Sequence, residues 1–151
     1  EKLPDKKLYV AGNGPMMEEM QRYVREHHME NVKFLGYLQK DEMSEKFYQA
    51  KAVIMTSQCY EAFAMTIAEA YSYGVPVIAG RVGNMDGMVQ DGITGVKFTY
   101  NSAEDLADKI SAFDAMDLSV LKKNARAFYA ERLRPEDNYQ KLIRIYEDIS
   151  K

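Results

Sequence analysis

An α/β fold is predicted for these 151 residues: a parallel sheet of about five strands, helices on both faces and a helical C-terminus. Three observations predict it. Short apolar runs alternate with helix-length segments between Lys7 and Phe98. Glycine-bearing turns follow those runs at Gly12, Gly36 and Gly80. Beyond Phe98 the alternation stops and only helical periodicity continues. Repeated strand, helix, strand requires right-handed crossovers and hence parallel pairing.

In chain order, Lys7-Leu-Tyr-Val-Ala11 reads as the first strand, and Gly12-Asn-Gly14-Pro15 turns it into a helix with Pro15 at its first position. Met16, Met20, Tyr23, Val24 and His27 share one face of that helix. Val32 to Leu35 is the second strand, ending at Gly36, and Asp41 to Ala50 the second helix. Ala52-Val-Ile-Met-Thr56 is the third strand, and Phe63 to Tyr73 has the composition of a buried helix. Gly74 suits a left-handed position at its end, and Pro76 forbids continuation. Val77 to Ala79 and Val96 to Phe98 are the remaining strands, with a short helix around Met85 to Gln90 between them. Ser102-Ala-Glu-Asp105 caps a helix whose Leu106, Ile110 and Phe113 share a face. Another helix starts near Ser119, and a last one has Pro135 at its N-terminus with Tyr139, Leu142, Tyr146 and Ile149 inward.

Size and composition restrict the function classes. The length predicts a single domain, residues 1–151. Lys plus Arg at 20 against Asp plus Glu at 23 gives a net charge of −3, with no basic run to serve nucleic acid. One cysteine, Cys59, precludes an intrachain disulfide framework and a multi-cysteine zinc site, and it reads as a half-buried inert thiol. No apolar run approaches the roughly 20 residues of a membrane span, so the expectation is a cytoplasmic protein, attachment at the inner membrane surface through another segment being compatible with it.

In sheets of this kind ligands bind beyond the carboxyl ends of the strands. Gly12 to Gly14, Gly36 to Leu38, Ser57 to Glu61 and Gly80 to Asn84 all follow strands and should share that rim. The richest stretch is Ser57 to Pro76, where Glu61 falls on a loop and Glu69 inside the following helix. The free N–H groups of Phe63, Ala64, Met65 and Thr66 and the positive end of the helix dipole favour an anion, most naturally a diphosphate. Glu69, roughly 5 to 10 Å along the axis from the first turn, and Glu61 would accept hydroxyl donors on either side of it. A nucleotide sugar has that layout. A plainer account is open as well: Thr66-Ile-Ala-Glu69 also fits a capping box, and loop glutamates are commonly solvated.

Glu61-Ala-Phe-Ala-Met-Thr-Ile-Ala-Glu69-Ala with Gly74-Val-Pro-Val-Ile78 resembles the E-x7-E signature of retaining GT-B-fold glycosyltransferases of group 1 (family 4). The resemblance implies one Rossmann-like half of a GT-B fold, the nucleotide-sugar-binding half. It implies that Glu61 contacts the transferred sugar as the catalytic residue, that the amides of Phe63 to Thr66 hold the phosphates, and that Glu69 takes the ribose hydroxyls. Ala64 stands where the family often has glycine. Gly12-Asn-Gly14-Pro15 is similar to the family's G-x-G-P turn, which gives Gly12 a close-approach role. Phe34-Leu-Gly36-Tyr37-Leu38 is similar to its F-x-G segment, which implies that Tyr37 and Leu38 are base contacts; the alternative for Tyr37 is a surface aromatic. Gly80 to Val89 occupies the place of G-G-x-x-E-x-V, but Asn84 replaces the second glycine and Gly87 the glutamate, with Asp86 beside it. Arg81 there could pair with a phosphate; the alternative is a solvated side chain.

The resemblance covers nearly the whole chain but part of a family enzyme: the half that binds the acceptor glycan or lipid-linked sugar, and a strand and cationic loop ahead of Lys7, have no counterpart here. Without that strand, Lys7 to Ala11 and Ala52 to Thr56 are expected to pair directly, giving a five-stranded 2-1-3-4-5 order. No cofactor is implied beyond the nucleoside-diphosphate sugar, and no metal. By itself the chain should bind donor weakly and turn nothing over. Two other classes compete. One is a non-catalytic flavodoxin-like regulatory or interaction module. The other is an NAD-linked oxidoreductase, which lacks the third glycine at Met17 and an acidic residue at Gly36.

Overall fold

A computed structural model of the chain describes residues 1–60 and 62–149. It is α/β with parallel pairing throughout, and its strands lie in two sheets, of two and three strands. The chain divides into two compact units, Glu1–Lys46 and Phe47–Lys151.

In the first unit, β1 (Leu8–Ala11) pairs in parallel with β2 (Val32–Gly36), Leu8 opposite Val32 and Val10 opposite Phe34, with a register shift between Val10 and Ala11. Gly12 and Gly36 both have positive φ, at 112° and 65°, and the Gly12 N–H donates to the Gly36 carbonyl at 2.7 Å. The connecting helix α1 (Met17–Glu26) starts two residues later than expected, because the Met17 N–H closes a turn on the Gly14 carbonyl and Pro15 falls inside that turn. None of residues 1–46 is buried. Helix α2 (Lys40–Gln49) carries the boundary between the units, and its Phe47 is buried against Tyr73, the rings stacked at 5.2 Å.

The core belongs to the second unit. There β3 (Val53–Met55), β4 (Val77–Gly80) and β5 (Gly95–Phe98) pair in that order, all parallel. All four residues of β4 are buried; because alternate side chains face opposite sides, both faces of this sheet are covered. On one face Ile78, Val96 and Phe98 join Phe113 of α5 (Ala103–Asp114) and Leu121 of α6 (Leu118–Arg132), with Leu106 and Ile110 packed against them as their spacing predicts. Ser102 caps α5 through the Asp105 N–H at 3.1 Å, and the Thr99 N–H at 2.5 Å holds the Asp105 carboxyl below the usual carboxylate range. Helix α3 (Met65–Ser72) buries Ile67, Ala68, Ala70 and Tyr71 and packs on α6 through Tyr71 and Phe128, rings edge-on at 5.6 Å. It ends as expected at Gly74, φ 68°, with the Val75 N–H returning to the Ala70 carbonyl at 2.9 Å. Helix α4 (Gly83–Met88) follows β4, and α7 (Pro135–Ile149) closes the chain with Pro135 at its first position.

Three expectations are corrected. The β1–β3 pairing does not form: among the described residues β1 bonds only to β2 and β3 only to β4. The α7 residues Tyr139, Leu142, Tyr146 and Ile149 share a face but are exposed, Ile149 at 77%; periodicity fixes which residues align, and only a partner surface turns that face inward. Cys59 is exposed rather than half-buried, since it lies on a loop outside the packed helices. Among the described residues no helix is long and apolar enough to cross a membrane.

Tyr71 anchors a buried polar knot. Its hydroxyl lies 2.7 Å from the Thr94 hydroxyl, which also accepts the Gln90 N–H at 3.0 Å, and burial pushes the phenol up to about 12, the Thr94 hydrogen bond pulling the other way. A raised phenol makes the folded state hold its proton longer than the unfolded chain does. That stability is complete below pH 10.0 and lost as pH rises towards about 12. Tyr71→Phe should therefore cost about 1 kcal/mol near neutrality and flatten the alkaline loss, as read by urea titrations at stepped pH. Gly95 is the other point of no tolerance, because a Cβ there would overlap the Val77 backbone. Gly95→Ala should break the β4–β5 ladder and cost more than about 4 kcal/mol, seen as loss of the cooperative thermal transition.

Candidate functional site

The sheet of the second unit presents three loops at the carboxyl ends of its parallel strands: described residues 56–60 and 62–64 after β3, 81–82 after β4 and 99–102 after β5. The first leads into α3. Its cap residue Ala64 is fully buried and offers no side-chain cap, because alanine has no acceptor to give. The N–H groups of Phe63, Ala64 and Thr66 consequently have no acceptor among the described residues. The Met65 N–H differs from the expectation, turning back to the Phe63 carbonyl at 3.0 Å. Phe63, Met65 and Thr66 are exposed while Ala64 is buried, so the helix end opens to solvent with the Phe63 and Thr66 donors and its positive dipole end.

Glu69 lies on the exposed side of α3, one turn in. Its carboxylate has no partner among the described residues. The capping box does not form: the helix starts at Met65, which puts Thr66 inside the first turn instead of at the cap. Glu69 thus keeps both oxygens free to accept. Glu61, the residue assigned to the sugar, lies outside the described residues.

Arg81 follows β4 and is half-exposed, with its guanidinium already engaged: Nη2 donates to Asp91 Oδ2 at 2.9 Å, and Nη1 lies 3.9 Å from Asp86 Oδ1. Lys97 completes this group, with Nζ 2.9 Å from Asp86 Oδ1 and its backbone N–H donating to Asp91 Oδ1 at 2.9 Å. A phosphate would have to compete with two carboxylates for Arg81. Sequence reasoning missed this network, although two acidic residues, Asp86 and Asp91, flanked by Arg81 and Lys97 within one strand-helix-strand segment were a legible signal. It also missed Asn84, whose side-chain amide donates to the Ala62 carbonyl, and Gln58, whose Nε2 donates to Asn101 Oδ1 at 3.1 Å.

In the first unit, Gly12 follows β1, and Tyr37 and Leu38 follow β2, so the paired parallel strands place all three at one edge of their sheet. Space beside Gly12 is open, and its φ of 112° is one that only glycine adopts with ease. Tyr37 is 70% exposed and Leu38 half-buried, the first a free aromatic face and the second a partly covered apolar one.

The sequence profile of the family described as Glycosyl transferases group 1 matches residues 1–126. A sulfoquinovosyl transferase of Arabidopsis thaliana is 30% identical over 131 residues, which cover 83% of this chain and 25% of that protein. An N-acetyl-alpha-D-glucosaminyl L-malate synthase of Bacillus anthracis is 28% identical over 146 residues, 96% of this chain and 37% of that protein. Among solved structures, Anabaena HepE in complex with UDP superposes with a TM-score of 0.86 at 23% identity, over 97% of this chain and 43% of that one. Sucrose-phosphate synthase from Thermosynechococcus elongatus gives 0.83 at 24% identity, over 95% and 38%. The likeness to these solved structures is one of fold, and the chain spans about a quarter to two fifths of the length of these proteins. By the profile match over most of its length, the chain belongs to the group 1 glycosyltransferases.

Proposed function

We propose that this chain is the donor-binding part of a retaining glycosyltransferase that moves a hexose-type sugar from a nucleoside diphosphate to a glycan or lipid-linked acceptor. The observation that carries the reading is the end of α3, where the exposed Phe63 and Thr66 N–H groups, without an acceptor among the described residues, lie about one turn from the Glu69 carboxylate, which has no partner among them either. The amides suit a diphosphate and the carboxylate suits a sugar or ribose diol. That relatives of the same fold have been solved with UDP and UDP-glucose supports the same ligand class here.

In the whole enzyme the leaving diphosphate gathers negative charge as the glycosidic bond breaks. Fixed amide donors aimed at it lower that barrier without reorganising. Glu61 orients the sugar and Glu69 holds the ribose hydroxyls. The acceptor is bound by a separate half, so this chain alone should bind donor weakly and transfer nothing. The full-length protein is placed in the cytoplasm, at the inner membrane surface when its acceptor is lipid-linked.

Titration calorimetry with UDP, GDP and ADP and their sugars tests the reading. One base should be bound in preference. Glu69→Ala should weaken the preferred ligand about tenfold, the loss of a charge-assisted contact, while leaving the melting temperature unchanged because the Glu69 side chain is exposed and has no partner among the described residues. Absence of binding to every nucleotide, or an unchanged affinity in Glu69→Ala, would favour a non-catalytic flavodoxin-like module instead.

A further inference from the structure

We propose that Asn84 is a positioning residue that aims the first amide of the donor site; this rests on the donor-binding reading above. Asn84 stands in the first turn of α4, and its Nδ2 donates to the carbonyl oxygen of Ala62. The Ala62 carbonyl and the Phe63 N–H belong to one peptide unit. That unit is planar and trans, so the two groups point in opposite directions. Holding the carbonyl on one side therefore directs the Phe63 N–H to the other, among the orphan donors at the start of α3.

The anchor is firmer than what it holds. Helix α4 is tied to β5 twice, Lys97 Nζ donating to the Asp86 carbonyl at 2.9 Å and pairing with its carboxylate at 2.9 Å. The segment in front of it is braced by Arg81 on Asp91 at 2.9 Å. Ala62 and Phe63, by contrast, are exposed and contribute nothing to the core. A second tether acts on the same loop, where Gln58 donates to Asn101, a residue held in the left-handed region at φ 57°. A hydrogen bond between two exposed groups adds little to folding. Fixing an amide before the anion arrives does more, because the ordering cost is then absent from binding. Glycine at position 84 could make no such contact.

Two neutral variants, Asn84→Ala and Asn84→Leu, remove the donor without adding charge. Each should weaken UDP, GDP or ADP, whichever the chain prefers, by about three- to tenfold, the worth of one hydrogen bond, with an unchanged melting temperature. In nitrogen-15 NMR spectra the Phe63 amide should shift and exchange faster, while Ile67 and Ala70 stay put. Unchanged affinity, or a loss that appears only together with a lower melting temperature, would overturn the proposal. If the parent chain binds no nucleotide, the donor-binding reading fails by itself. The Phe63 amide then decides: a moved resonance upholds the Asn84 tether and an unmoved one removes it.

Discussion

Every polar group on the backbone of β4 must find its partner in a neighbouring strand, because all four of its residues are out of reach of water. This constraint sets the second unit. Two flanking strands are required, β3 and β5, and parallel pairing forces each connection to run as a helix across a face. Those helices, α3 and α4, supply Tyr71 and Met85 to the core, and α5 and α6, which follow β5, add Phe113 and Leu121. Gly95 is the contact where this geometry is tightest, since the Val77 backbone occupies the space a side chain would need. Once the three strands run the same way, the loops that leave them emerge at one edge, and chemistry can gather there without any loop being rigid in itself.

The loops at that edge are fixed to each other by side chains rather than by packing. Gln58 reaches from the loop after β3 to Asn101 after β5, and Asn84 reaches from α4 to Ala62. Carboxamides suit this because they donate without bringing charge, so they hold the loop and leave the field of the helix end unaltered. The charged residues are arranged otherwise. Arg81, Asp86, Asp91 and Lys97 neutralise one another and serve to pin α4 against β5.

Much of this was legible in the sequence. Alternation of apolar runs and helices predicted the parallel α/β arrangement, and Gly74 before Val75-Pro76 located the end of α3 because a positive φ leaves little choice of residue. Ser102 and Pro135 marked helix starts for equally local reasons. What failed was whatever depended on distant partners. Tyr139, Leu142, Tyr146 and Ile149 line up on α7 as their spacing dictates, but spacing carries no information on whether a surface covers them. Pairing of β1 with β3 was inferred from the usual order of such sheets, and the strands instead lie in a two-stranded and a three-stranded sheet. At the site, Glu69 and the amides of α3 followed from local motif reading. Asn84 did not, because its partner lies 22 residues away in sequence.

The charge balance at the α3 end shows how the two parts of a donor would be recognised. A helix terminus carries roughly half a positive charge, far short of the charge of a diphosphate, and Arg81 and Lys97 already face Asp91 and Asp86. Amides can orient the phosphates, but they do not neutralise them. Attraction by this chain alone is therefore modest and falls with added salt. The carboxylate of Glu69 opposes an anion there, and on the proposed reading hydroxyl donors on the ligand would offset that repulsion. On the proposed donor-binding reading, the phosphates would fix where the ligand sits and Glu69 would determine which ligand is accepted: a bare pyrophosphate would meet the repulsion without the compensating hydroxyls, and a nucleotide with an intact ribose diol would not.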